Sequence, residues 1–111
     1  MKYLVFGTAG PGFASEDEAL ELLEFTVLPS FEMLMAWEKE KKIVAGGLPV
    51  GERAFSMIME APNHEELDDW LRSLPIWGLV EWEVTPLQPF AARAAREKKE
   101  IKELKKALNL D

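Results

Sequence analysis

The chain has 111 residues, 48% of them hydrophobic, which suits one domain with a small core. A formal net charge of −7 argues against nucleic acid or an anionic membrane as the main partner, because both need a basic footprint. The lack of cysteine excludes disulfides, thiolate nucleophiles and sulfur-ligated metals, and the single histidine excludes a multi-histidine metal site within one chain.

"KYLVFGT" (2–8) is apolar, β-branched or aromatic at most positions and stops at glycines, so it reads as a strand. "GTAGPG" follows. A phosphate-loop reading fails there, because Pro11 removes an amide, no Gly-Lys-Ser/Thr follows, and Glu16, Asp17 and Glu18 already place negative charge at the next helix start. Ser15 and Glu18 form a capping box. Leu20, Leu23, Val27, Phe31 and Leu34 then recur at helical spacing, predicting a helix over about 16–40 that Pro29 kinks or splits. "KKIVAGG" is a second strand ending at a double glycine, and "AFSMIME" (54–60) is a third. Asn63 caps a second helix to about Leu74, with Leu67, Trp70, Leu71 and Leu74 on one stripe. His64 falls in its first turn, as a solvated side chain. "LVEWEVTPL" is the fourth strand, and from Ala91 the Ala/Lys/Arg/Glu composition with Ile101, Leu104 and Leu108 predicts a terminal helix.

The order β-α-β-β-α-β is an α+β, ferredoxin-like antiparallel sheet over residues 1–90, with a C-terminal helical extension over 91–111. The first and third strands do not alternate apolar with polar, so both their faces read as buried and a second cover is expected: a homo-oligomer, at least a dimer. Charge divides along the same boundary. Residues 1–90 carry 6 basic and 16 acidic side chains, whereas residues 91–111 carry 7 basic and 4 acidic. Too short to be stable alone, the terminal helix should dock on the body or on a neighbour. No signal peptide or membrane span is read, so the expected location is cytoplasmic.

Residues 63–87 carry a resemblance. Glu65, Glu66 and Leu67, the Leu74-Pro75-Ile76-Trp77 corner, and the strand Glu81, Trp82, Glu83, Val84, Thr85 and Leu87 resemble the carboxy-terminal half of muconolactone delta-isomerases. The likeness runs without gaps from about Gly51 to Leu87, and the architecture of residues 1–50 agrees more weakly. It implies a small ferredoxin-like protein that assembles by dimeric α/β-barrel packing into larger rings. It also implies a cofactor-free proton shift in an unsaturated lactone acid from aromatic-compound breakdown. The family's Gly-Arg-Tyr-Ala stretch reads Gly51-Glu52-Arg53-Ala54 here, its first strand has polar and ionisable residues that this one lacks, and the terminal helix runs past the usual family end.

The carboxylates form the one constellation with a chemical reading. If Val80, Trp82 and Val84 face the helices, Glu81, Glu83 and Thr85 point to the other face, and the same alternation leaves Ser56, Ile58 and Glu60 opposite Phe55, Met57 and Met59. Glu60, Glu81 and Glu83 are therefore the candidate proton carriers, with Tyr3 expected beside them. The competing reading is that Glu81 and Glu83 charge an edge strand against stray pairing. Trp70 and Trp82 read as core. Trp77, between Pro75 and Gly78, reads as a subunit contact or a pocket mouth. An anionic substrate needs a cation, and Arg53 is the nearest candidate, ahead of Lys2, Lys41, Lys42 and Arg72. No metal or cofactor is expected. The expected function is isomerase-like proton transfer on a small unsaturated or lactone acid; the alternative is a non-catalytic oligomeric ligand-binding or assembly module with the same fold.

Overall fold

In the computed structural model, which describes residues 1–10 and 12–110, four strands form one antiparallel sheet. They are β1 (Lys2–Ala9), β2 (Ile43–Gly47), β3 (Ala54–Glu60) and β4 (Val80–Leu87), in the order β2-β3-β1-β4. A long helical segment connects β1 to β2, and α3 (His64–Ser73) connects β3 to β4. The fold is α+β and ferredoxin-like, and β3 spans the residues that the sequence assigns to it. The expectation about Pro11 lies outside the described residues.

Register sorts the side chains. Tyr3 pairs with Met59, Val5 with Met57 and Gly7 with Phe55, while Val5 and Gly7 meet Val84 and Trp82 on the other side. With a period of two, these residues share the face under the helices. Tyr3, Val5, Phe55, Met57, Met59 and Val80 are buried there with Trp37, Leu67, Leu71 and Ile76. Tyr3 was expected among the carboxylates of the other face. It is instead 1% exposed in the core, because the alternation that buries Val5 buries Tyr3 as well. Gly7 gives Trp82 its place: a Cβ at Gly7 would stand 2.8 Å from Val80 Cγ1 and 3.1 Å from the Trp82 ring. Trp82 stacks on Phe55 at 6.2 Å and donates its indole N–H to the Trp77 carbonyl.

The helix of residues 16–39 is continuous but changes pitch. Ser15 caps α1 (Glu16–Leu22), a π-helical turn (Leu23–Val27) follows, and α2 (Leu28–Lys39) begins with Pro29 in its first turn. Proline offers no amide and its ring crowds the carbonyl four residues back. The wider turn, in which the Leu28 amide reaches Leu23 O, absorbs this without a break. Buried Ser30 donates its hydroxyl to Thr26 O at 2.7 Å and accepts from the Ile76 amide at 3.0 Å. The change of pitch divides the expected apolar stripe. Val27, Phe31 and Leu34 pack on the core, but Leu20 and Leu23 are exposed.

The other sheet face is not covered within the chain. Phe6 and Ile58 are half-buried on it, and Leu4 and Leu87 are exposed. The terminal helix α4 (Phe90–Ala107) does not cover it, since no α4 residue is buried. The Cα radius of gyration is 20.1 Å and the longest dimension 73 Å, against about 13 Å of radius for a compact domain of this length. Among the described residues no helix is long and apolar enough to cross a membrane.

Two outcomes follow from this packing. Ser30→Ala should lower unfolding free energy by about 1–3 kcal/mol, the cost of leaving a buried amide without an acceptor, as measured by urea denaturation. Ending the chain before Phe90 should leave a domain that still melts cooperatively, because α4 buries nothing in its own body. Loss of cooperative melting in circular dichroism would place α4 in the core instead.

Candidate functional site

Where the pitch changes, α1 and the π turn stand off from the end of the sheet and leave an apolar crevice of about 450 Å³. Leu22, Leu23, Val27 and Phe31 form one wall, Ala9, Ala54 and Phe55 the floor, and Ile76 and Leu79 the far end. That size accommodates a small organic molecule. The Ser30–Ile76 hydrogen bond ties the helical wall to the far end and so fixes the width of the space.

Three ionisable side chains line it: Glu18, Glu52 and Arg53. Ala9 donates its amide to the Arg53 carbonyl at 2.8 Å, which anchors the turn before β3 to the end of β1. The guanidinium lies 5.8 Å from the centroid of the Phe13 ring and directly over Gly12, where a Cβ would come within 2.7 Å of Nη2. Among the described residues Arg53 enters no ion pair. Glu18 is held from behind, with Oε2 accepting the amide of Ala14 at 2.9 Å, one residue before the Ser15 cap that the sequence expects it to reach. Its other carboxylate oxygen makes no bond among the described residues. The sequence pointed to Arg53 but not to Glu18 as a site residue. The signal was the capping box, which orients a carboxylate as well as starting a helix.

The carboxylates of the sequence reading lie elsewhere. Glu81 and Glu83 occupy the uncovered sheet face about 7 Å apart, as two residues of one strand must. Glu83 is level with Ser56 through Phe6, whereas Glu60 pairs with Lys2 at the opposite end of β1. Four residues along β3 put Glu60 about 13 Å further down the sheet. The three glutamates therefore do not gather, and none lines the crevice. Tyr3 is removed from them by facing the helices. Its hydroxyl lies 2.7 Å from His64 Nδ1, and the two line a separate shallow cleft with Asp68 and Val84. Trp77 is half-buried under the Arg72 guanidinium at 4.6 Å, and its neighbours Ile76 and Leu79 line the crevice instead. Two of the lesser cation candidates are already engaged. Arg72 pairs with Asp68 at 2.8 Å, and Lys42 pairs with Glu40 at 3.2 Å while lying over Trp70.

Comparison with known proteins adds a family. The family model described as muconolactone delta-isomerase matches residues 24–93. The fold is similar to a crystal structure of muconolactone isomerase, with a TM-score of 0.66 and 22% identity over 80% of this chain and 90% of that one. It is also similar to 5-chloro-2-hydroxyhydroquinone dehydrochlorinase from Burkholderia phenoliruptrix AC1100 in complex with 2,5-dihydroxybenzoquinone. There the TM-score is 0.54, with 22% identity over 79% of this chain and 94% of that one. Among curated proteins none matches the sequence.

Placement of the guanidinium over Gly12 carries a prediction. Gly12→Ala should displace Arg53 from the crevice mouth with little effect on folding, since Gly12 is exposed. In crystal structures of the variant the Arg53 side chain would occupy a different rotamer; an unmoved guanidinium would contradict the contact.

Proposed function

The chain belongs to the muconolactone delta-isomerase family, and from that premise we propose that the crevice performs cofactor-free proton transfer on a small unsaturated or lactone acid. The observation that carries this reading is that one cation, Arg53, and one oriented carboxylate, Glu18, line the same largely apolar space. Arg53 binds the substrate carboxylate through charge-assisted hydrogen bonds. Glu18 takes a proton from a carbon next to the conjugated system, and the resulting carboxylic acid returns it to another carbon of that system. The double bond moves, no electrons leave the substrate, and no redox partner is required. The apolar walls limit water near the delocalised anion. Glu52 lines the same space as a second carboxylate.

A second copy supplies the missing cover of the sheet. The half-buried Phe6 and Ile58 on the uncovered face favour this, as does the family's way of packing. Glu81 and Glu83 would then lie at the interface between copies, and the crevice reading does not use them.

The test is proton NMR in deuterium oxide with a small unsaturated γ-lactone bearing a carboxylate. Wild-type protein should catalyse deuterium incorporation and double-bond migration. Arg53→Gln should weaken substrate binding about 10–100-fold, the equivalent of roughly 1.5–3 kcal/mol for a hydrogen bond to a charged group. Glu18→Gln should retain binding and lose exchange. Binding without any exchange in the wild type would make the crevice a ligand-binding site alone, the non-catalytic module that the sequence also allows.

A further inference from the structure

The terminal helix leaves an amphipathic face without a partner. Ile101, Leu104 and Leu108 recur along one side of α4 and its C-terminal end, each more than half exposed. Lys98, Lys102 and Lys105 run along one side of that stripe at helical spacing. Residues 91–111 are net positive on a body whose first 90 residues carry 16 acidic and 6 basic groups. The helix extends beyond residue 93, where the match to the family model ends.

A complementary surface lies at the other end of the chain. Leu20, Phe25 and Leu28 form an exposed apolar ridge on α1, the π turn and the start of α2, at 65%, 67% and 55% exposure. Glu16, Asp17, Glu18, Glu21 and Glu24 surround it, and residues 15–30 include no basic side chain. Within one chain α4 buries nothing, so it does not meet this ridge.

We infer that α4 of one copy seats its Ile101–Leu108 stripe on the Leu20–Leu28 ridge of a second copy, with its lysines against the ridge's glutamates. Matched apolar seams flanked by opposite charge are how helices choose partners, and like charges across the same seam would repel. Exposed apolar residues on both elements leave water when they meet. Leu23, beside the ridge, also lines the crevice, so the visiting helix lies along the crevice wall of its neighbour. The site described above is then walled in part by a second copy. This docking depends on the geometry of the ridge and not on proton transfer.

Full-length variants test it by analytical ultracentrifugation at low ionic strength, where exposed charges are least screened. One variant carries Lys98→Glu and Lys102→Glu, and the other carries Glu21→Lys and Glu24→Lys. Each alone should fall to half the wild-type assembly mass or less, and an equimolar mixture should regain assembly through the acidic helix on the basic ridge. Leu104→Glu alone should give the same loss. That residue is exposed in the single chain, so misfolding does not account for the loss when thermal melts match the wild type. Reversal at Glu66 and Asp69 of α3 is the control and should leave the mass unchanged. A wild type that sediments as one chain, variants that assemble normally, a mixture that stays dissociated, or equal loss from the α3 control would each overturn the inference.

Discussion

The architecture turns on one amide that is not there. Pro29 cannot donate to the carbonyl four residues before it, and in a straight α-helix its ring would press on that carbonyl. The chain widens to a π turn over Leu23–Val27, and the Ser30 hydroxyl just after it donates to Thr26 O. The same hydroxyl receives the Ile76 amide from the corner after α3. A local defect in one helix thus becomes a fixed tie between the helix layer and the loop entering β4. Ser30 is 1% exposed, and both its hydroxyl bonds span element boundaries. Unpaired buried polar groups are costly, so each of the three partners constrains the other two.

Much of this fold was legible because the relevant signals are local. Capping residues Ser15 and Asn63 start α1 and α3, and alternation along β3 and β4 assigns their faces. The two-sided apolar character of β1 marks an uncovered sheet surface that the single chain leaves open. What the sequence did not give was distance. Glu60, Glu81 and Glu83 share a face by parity, but parity does not say how far apart they stand; that depends on the register of β3 and β4 with β1. Tyr3 was placed on the wrong face because the non-alternating run Tyr-Leu-Val-Phe does not reveal which phase points inward. The π turn was also hidden. Pro29 announces a disturbance, but only the tertiary bond to Ile76 decides between a kink, a break and a wider turn.

Arg53 illustrates the same limit from the other side. Between Glu52 and Ala54 it reads as one charged residue on a strand end, with its face set by alternation. In the structure it precedes β3, in a turn whose backbone is tied to Ala9, and its direction is set by the open space over Gly12 and the ring of Phe13. A glycine with no Cβ and an aromatic face cost a guanidinium little to approach, whereas a larger side chain at residue 12 would fill the space. Gly12 and Phe13 therefore position the Arg53 guanidinium.

Charge segregation and the crevice are linked by the same element. The acidic residues of α1 begin that helix favourably, since carboxylates near its N-terminus oppose the positive end of the helix dipole. Of these, Glu18 lines the crevice together with Glu52 and Arg53, so the crevice carries both signs of charge. The apolar ridge beside those carboxylates is tolerated on an exposed helix only if something covers it or if its cost is small. With the whole of α4 outside the core and of opposite charge, the molecule carries both halves of a cover and keeps them apart within one chain.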